Sequence, residues 1–137
     1  MIKKTITYVD LNGIERKEDF YFALRKDELM DMELGTTGGF TDMVQKIIDA
    51  KDQPALMKLF KEFVLKSYGI KSDDGRRFIK NDRVREEFEQ TEAYSIIYME
   101  LLTDAKKAAE FVNGVVPSDI AEQAAKKQAS MMQLAGN

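Results

Sequence analysis

The N-terminal stretch of the chain, residues 2–22, reads IKKTITYVDLNGIERKEDFYF. Six of its apolar residues share one parity, with Lys, Thr, Glu and Asp mostly between them: Ile2, Ile6, Tyr8, Ile14, Phe20 and Phe22. Alternation of this kind is typical of strands that bury one face and expose the other. The stretch therefore predicts a β-hairpin whose turn lies at residues 10–13.

The register of this hairpin depends on the type of turn. A two-residue Asn-Gly turn at residues 12–13 would pair even with odd positions and set Ile6 opposite Asp19. A type I turn followed by a bulged glycine in the left-handed conformation shifts the pairing by one residue and sets Ile2 opposite Phe22. We predict the bulged turn, because it places the apolar side chains of both strands on the same face.

Burial of that face should be uneven along the hairpin. Lys4, Arg16 and Glu18 share the parity of the apolar residues, so only the end near Ile2 and Phe22 has the composition of a buried surface. An isolated two-stranded hairpin is only marginally stable in water. We therefore expect the hairpin to lie on helices or on a partner.

Beyond the hairpin, the apolar residues recur at helical spacing. The pattern predicts the following order: a short helix stopped by Gly35, an amphipathic helix with its apolar face at Phe40, Met43, Val44, Ile47 and Ile48, a helix capped by Asp52 and ended by Gly69, a turn segment over 70–80, a short helix capped by Asn81, and a long helix from about Glu92 to Val112 stopped by Asn113-Gly114. The expected fold class is mainly α, with an N-terminal β-hairpin followed by a compact bundle of about five to six helices.

The composition shifts once, after Pro117. Residues 1–117 predict one unit, the hairpin plus the helical body, and residues 118–137 predict an Ala/Gln/Met-rich C-terminal tail that is helical or flexible. The long helix carries an apolar seam with alternating spacings of four and three residues: Tyr94, Tyr98, Leu101, Ala105, Ala108 and Val112. The seam favours packing within the chain, and self-association through it is the alternative.

The composition also excludes several kinds of chemistry. The chain has 137 residues, 21 Lys and Arg against 24 Asp and Glu, a net charge of −3, and no Cys, His or Trp. Without Cys and His there is no thiolate nucleophile, imidazole base, disulfide or Cys/His zinc site. Neither Asp/Gly turn has acidic residues at both ends of a calcium-binding loop. We predict no catalytic residue, no cofactor and no metal, and we do not expect an enzyme.

Nothing in the sequence predicts export or membrane contact. The two lysines near the start are not followed by the apolar run of a signal peptide, and no apolar run approaches the ~18 residues that a membrane-spanning helix needs. We therefore expect a cytoplasmic location. The acidic balance gives no general attraction to nucleic acid or to anionic lipid.

A basic cluster follows the turn at residues 73–75. Arg76, Arg77 and Lys80 lie close together in the sequence, and further arginines and several acidic residues follow. One interpretation is a solvated surface whose cations pair with neighbouring acids, and the other is a patch for an acidic partner at these three residues. The acidic net charge disfavours nucleic acid as that partner.

Seven segments occur in an order and spacing that point to a known family: 4–13 (KTITYVDLNG), 18–22 (EDFYF), 28–35 (ELMDMELG), 60–69 (FKEFVLKSYG), 74–80 (DGRRFIK), 90–95 (QTEAYS) and 111–117 (FVNGVVP). Together they resemble the tail assembly chaperones of long-tailed, siphovirus-type bacteriophages and of related prophages in Gram-positive bacteria. The resemblance covers residues 1–117, and the tail beyond Pro117 is similar only in its Ala/Lys/Met-rich composition.

The resemblance implies a non-catalytic helper of virion assembly, with no metal, cofactor or catalytic residue. Such chaperones bind the long tape measure protein, keep it soluble and help to recruit the tail tube protein. They act in the host cytoplasm, are absent from the mature virion, and in some cases also exist in a longer, frameshifted form.

On this basis we expect the client contact on the tail. Met131, Met132 and Leu134 would form it together with Ile120 and Ala124 on the same helix, because soft thioether side chains suit adaptable contacts. A frayed C-terminus without a role is the alternative.

Two other functions stay open at the level of sequence. A structural component of the tail would be found in purified virions, whereas a chaperone would be missing from them. A small nucleic-acid-binding regulator would use the cluster from Arg76 to Arg85, and its binding would depend on salt.

Overall fold

Four strands and five helices lie within the residues that the computed structural model describes, namely 1–32, 39, 42–45, 49 and 53–122. The strands are β1 (Ile2–Val9), β2 (Glu15–Phe22), β3 (Tyr68–Lys71) and β4 (Phe78–Ile79). The helices are α1 (Lys26–Asp31), α2 (Gln53–Ser67), α3 (Asp82–Glu89), α4 (Glu92–Thr103) and α5 (Ala105–Val115). Residues 42–45 and 118–122 are also helical. The expected hairpin followed by helices is confirmed.

The N-terminal hairpin has the predicted register. β1 and β2 pair antiparallel with Ile2 opposite Phe22. Gly13 adopts a φ of 77°, the left-handed conformation that the bulged turn requires. Burial is uneven as expected, since Phe20 and Phe22 are buried whereas residues 15–19 of β2 are exposed.

The sheet is larger than predicted, because residues 68–79 form a second hairpin. β2 pairs with β3 only at its inner end, where Phe22 lies opposite Tyr68, and β3 pairs with β4, giving the strand order β1-β2-β3-β4. The turn predicted around Asp73-Asp74-Gly75 is confirmed, but its flanks within 70–80 are strands rather than part of a turn segment, and α2 ends at Ser67 rather than at Gly69. The reason is tertiary: a Cβ atom at Gly69 would lie 2.9 Å from the ring of Phe78, so glycine lets that ring cover the strand.

The prediction of one long helix from Glu92 to Val112 is also wrong, because the helix breaks at Asp104. This residue is extended, with φ −136° and ψ 100°, and its carboxylate accepts a hydrogen bond from the backbone N–H of Lys107 at 3.1 Å, which caps α5. The helix then continues to Val115 instead of stopping at Asn113-Gly114. Gly114 is retained inside α5 where it meets β1, since a Cβ atom there would lie 3.1 Å from Ile2 Cδ1.

The core lies between the inner face of the sheet and the helices. The ring of Phe22 is fully buried and meets Phe111 edge-on at a centroid distance of 5.2 Å, while Tyr68 stacks on Phe88 at 4.0 Å. Sheet and helices thus share one aromatic cluster.

Several helix-level predictions are confirmed. The side chain of Asn81 caps α3 by accepting a hydrogen bond from Val84 N–H at 2.8 Å. The predicted amphipathic helix also supplies two buried core residues, Met43 and Val44. The following predicted positions lie outside the described residues: Gly35, Phe40, Ile47, Ile48 and Asp52.

Candidate partner-binding surfaces

The three residues of the basic patch do not share one environment. Arg76 and Arg77 are exposed in the turn between β3 and β4. The ammonium group of Lys80 instead donates to Glu28 Oε2 at 2.6 Å and to the backbone oxygen of Ala23 at 2.7 Å. Only 14% of the Lys80 side chain is exposed, so this residue joins the second hairpin to α1.

The electrostatics of Lys80 reflect this partly buried position. Burial lowers the pKa of Lys80, and the hydrogen bond to Glu28 opposes that effect. The neighbouring arginines follow the solvated interpretation, since Arg83 pairs with Glu87 and Arg85 pairs with Asp82, each at 3.0 Å. Among the three residues of the patch, Arg76 and Arg77 present their side chains to solvent.

The start of the tail is attached to the body. Ile120 donates its backbone N–H to the Pro117 oxygen at 3.1 Å, and Asp119 forms an ion pair with Lys26 at 2.8 Å. Ile120 is partly buried and packs against the core. The other residues proposed for the client contact lie outside the described part of the chain: Ala124, Met131, Met132 and Leu134.

The tip of the N-terminal hairpin is a third surface, and it exposes apolar side chains. Val9 is 58% exposed, Leu11 is fully exposed and Ile14 is 56% exposed. These residues lie at a hairpin turn, so the helical periodicity of the sequence gives no indication that they are exposed. The available signal is that apolar residues stand on either side of the Asn-Gly turn, where polar residues are usual.

Asp10 holds this tip together. Its carboxylate accepts hydrogen bonds from the backbone N–H groups of Asn12 and Ile14, both at 2.9 Å, and pairs with Arg16 Nε at 2.6 Å. The hydrogen bond from Arg16 is the main cause that lowers the pKa of Asp10. The turn is therefore a structured feature rather than a loose end.

A cleft of about 370 Å³ separates the tip from the junction of α3 and α4. Tyr8, Leu11 and Arg16 line the hairpin side, and residues 90–92 line the helical side. Tyr8 donates its hydroxyl to the carboxylate of Glu18, and this hydrogen bond raises the pKa of Tyr8. The cleft thus combines an apolar edge with carboxylates.

Comparison with known proteins identifies the chain. A family model described as phage tail assembly chaperone matches residues 1–136. The chain belongs to the phage tail assembly chaperone family. The match confirms the resemblance and extends it from residue 117 through nearly all of the tail. No curated protein and no solved structure matches the chaperone.

The described part of the chaperone offers surfaces rather than a metal centre. Within residues 1–32, 39, 42–45, 49 and 53–122, no three Asp or Glu side chains come together in a group that could hold a metal ion. No helix in the same ranges is long and apolar enough to cross a membrane. Three exposed features of the described residues are candidate binding surfaces: the turn with Arg76 and Arg77, the start of the tail, and the hairpin tip.

Proposed function

We propose that this chaperone binds the tape measure protein, keeps it soluble until the tail tube encloses it, and helps to recruit the tail tube protein. The observation that carries the proposal is the family match over residues 1–136. The chaperone acts by binding and not by catalysis. It works in the host cytoplasm and is absent from the mature virion.

A small acidic protein is suited to keeping the tape measure protein soluble. A tape measure protein is a very long helical chain whose exposed apolar stripes make it prone to aggregate. Many copies of the chaperone cover these stripes with apolar side chains and turn their charge outward. Each contact can be weak, because many contacts along one chain give avidity and still allow release when the tube assembles.

We place the client contact of the tail beyond its first helical turn. Ile120 packs against the core and Asp119 pairs with Lys26, so this turn anchors the tail to the body. The side chains proposed to contact the client are then those of Ala124, Met131, Met132 and Leu134, with Ile120 fixing where the tail leaves the body. Methionine suits this role because its flexible thioether adapts to irregular apolar surfaces.

A truncation tests this proposal. Removing residues 123–137 leaves the anchoring contacts of Asp119 and Ile120 in place, so the body should keep its urea unfolding midpoint. Co-expression with the cognate tape measure protein should then yield an aggregated client, whereas the full chain keeps it soluble and co-purifies with it. Met30→Ser is the matched control, because Met30 is 70% exposed and lies outside the tail.

Two outcomes would contradict the proposal. Co-purification that is unchanged by the truncation would remove the tail from the client contact. A full chain that leaves the tape measure protein insoluble would reject the client itself. Mass spectrometry of purified virions distinguishes a chaperone from a structural tail component, because only the latter is retained in the particle.

A further inference from the structure

The exposed apolar side chains of the chaperone are concentrated at one end of the hairpin. Eight large apolar residues are exposed in the described part of the chain, and three of them fall within residues 9–14. The other exposed positions, such as Met30 and Met99, are spread over separate elements. Val9 ends β1 and faces away from Tyr8 and the cleft, whereas Leu11 and Ile14 lie together on the projecting turn and indicate a contact surface.

We propose that this hairpin tip, formed by Leu11 and Ile14 with the adjoining cleft, binds an amphipathic helix whose apolar stripe is flanked by Lys or Arg. The inference rests on the proposed function only for the identity of the natural partner, which is the tape measure protein. The tip is a binding surface separate from the tail.

The first argument is that the tip is rigid before it binds. Asp10 accepts backbone hydrogen bonds from Asn12 and Ile14 and an ion-pair hydrogen bond from Arg16. The backbone N–H of Gly13 also donates to the backbone oxygen of Asp10 at 3.0 Å. Binding through a turn that is already ordered loses little conformational entropy, so a small apolar surface can give useful affinity.

The second argument is the charge around the tip. Among the described residues that line the cleft, Arg16 is the only cation, and Asp10 neutralises it at 2.6 Å. Glu92 lies exposed on the opposite side of the cleft, and Tyr8, which lines the hairpin side, donates its hydroxyl to Glu18. An apolar edge next to the exposed carboxylate of Glu92 complements a partner that presents apolar side chains flanked by cations.

The third argument concerns the shape of the partner. A strand added to β1 would cover the edge of the sheet, but Leu11 and Ile14 lie at the end of the ribbon, beyond both strands. The cleft has about 370 Å³, which is near the lower limit for ligand pockets, so it takes a few side chains and not a whole helix. An amphipathic helix presents such a short ridge of apolar side chains with charged residues on both flanks.

Two synthetic peptides, each about three heptads long, test the surface directly. Both carry the same leucine stripe, and one has Lys and the other Glu on its polar face. Amide chemical shifts of the full-length chaperone should change at residues 8–16 and 90–92 with the Lys peptide and not with the Glu peptide. The affinity should fall as salt is raised, because the flanking charges are exposed.

Variants identify the side chains that carry the binding. The double change Leu11→Ser and Ile14→Ser should weaken binding of the Lys peptide at least about tenfold, as expected when apolar anchors are removed from an interface. Glu92→Gln should weaken binding by a smaller factor, about two- to fivefold, because the ion pair between Glu92 and a lysine of the peptide remains solvated. Met30→Ser with Met99→Ser removes two exposed apolar side chains far from the tip and should leave the affinity unchanged.

The same variants in co-expression with the tape measure protein separate this inference from the proposed function. If the wild-type chaperone solubilises the client and the Leu11/Ile14 variant does so equally, the inference is wrong and the proposed function stands. If the wild-type chaperone fails but the peptide binds at the tip, the client is wrong and the surface stands. Equal binding of both peptides, or a dimer of the chaperone that the Leu11/Ile14 variant abolishes, would overturn the inference.

Discussion

Replacing Lys80 with methionine removes the ammonium group that joins the second hairpin to α1 while keeping an unbranched apolar side chain. Two hydrogen bonds are lost, one to Glu28 at 2.6 Å and one to the Ala23 oxygen at 2.7 Å. Bonds that involve a charged group contribute about 1.5–3 kcal/mol each when buried. Because 14% of the Lys80 side chain and 23% of the Glu28 side chain are exposed, hydrogen bonds to water offset part of this contribution. We therefore expect the free energy of unfolding to fall by about 2 kcal/mol in total.

Urea unfolding followed by circular dichroism measures this loss, which corresponds to a fall in Tm of about 6–10 °C for a chain of this size. Glu28→Gln should cost about 1 kcal/mol, since the amide oxygen can still accept the N–H of Arg25 that Glu28 Oε1 accepts at 3.0 Å. The double variant should then be more stable than the sum of the single losses implies, by about 1 kcal/mol. The reason is that either single change already abolishes the Lys80–Glu28 contact, so the second change cannot remove it again.

The matched control is Lys66→Met. Lys66 pairs with Glu62 at 3.1 Å on the surface of α2, with side chains 43% and 52% exposed, and its removal should cost less than about 0.5 kcal/mol. A loss at Lys80 as small as this control, or single losses that simply add in the double variant, would refute the idea that the Lys80–Glu28 contact fastens the hairpin to the helix.

Two further perturbations test the helix break and the buried tyrosine. Asp104→Ala removes the cap of α5 and should lower the free energy of unfolding by about 1 kcal/mol in urea titrations, whereas Asp73→Ala in the exposed turn should change it little. Burial raises the pKa of Tyr94 to about 12, so its neutral form stabilises the fold fully below pH 10, and this contribution is lost as the pH rises from 10 to 12. The phenolate absorbance of the folded chain should lack this tyrosine until about pH 12. Tyr94→Phe should reduce the fall in stability over that range, and a titration midpoint of Tyr94 near the ordinary tyrosine value of 10 in the folded chain would contradict the assignment.

The parts of the fold that were predictable depend on contacts between residues close in sequence. The register of the first hairpin follows from the parity of its apolar residues and from one glycine, and both act within about twenty residues. Asn81 caps its helix by accepting an N–H group three residues ahead. Interactions between residues this close in the sequence can be predicted without knowing how the chain packs.

The second hairpin and the break at Asp104 were not predictable in this way. β3 has four residues and β4 has two, too few for alternation to stand out, and the strands are held by the packing of Phe78 over Gly69. At Asp104 the apolar seam continues in the sequence from Leu101 to Ala108, and both residues are buried. Ala105, between them, is exposed, because the chain turns there and starts a new helix.

The candidate surfaces show the same division. Lys80 stands with Arg76 and Arg77 in the sequence, but its partner Glu28 is 52 residues away, and no local pattern connects the two. The apolar turn at Leu11 and Ile14 is visible in the sequence, yet only the structure shows that no other element covers it in the described part of the chain.

By itself, the sequence determined the absence of Cys and His chemistry, the first hairpin with its register, the cap of α3 and, through its order of segments, the chaperone family. The tertiary structure decided where the helices break, which cations are already paired, how the tail is anchored and which apolar side chains stay in contact with water. The physical reason is range. Turns, caps and alternation depend on interactions within a few residues, whereas burial and ion pairing depend on which distant elements meet, and that follows from packing of the whole core.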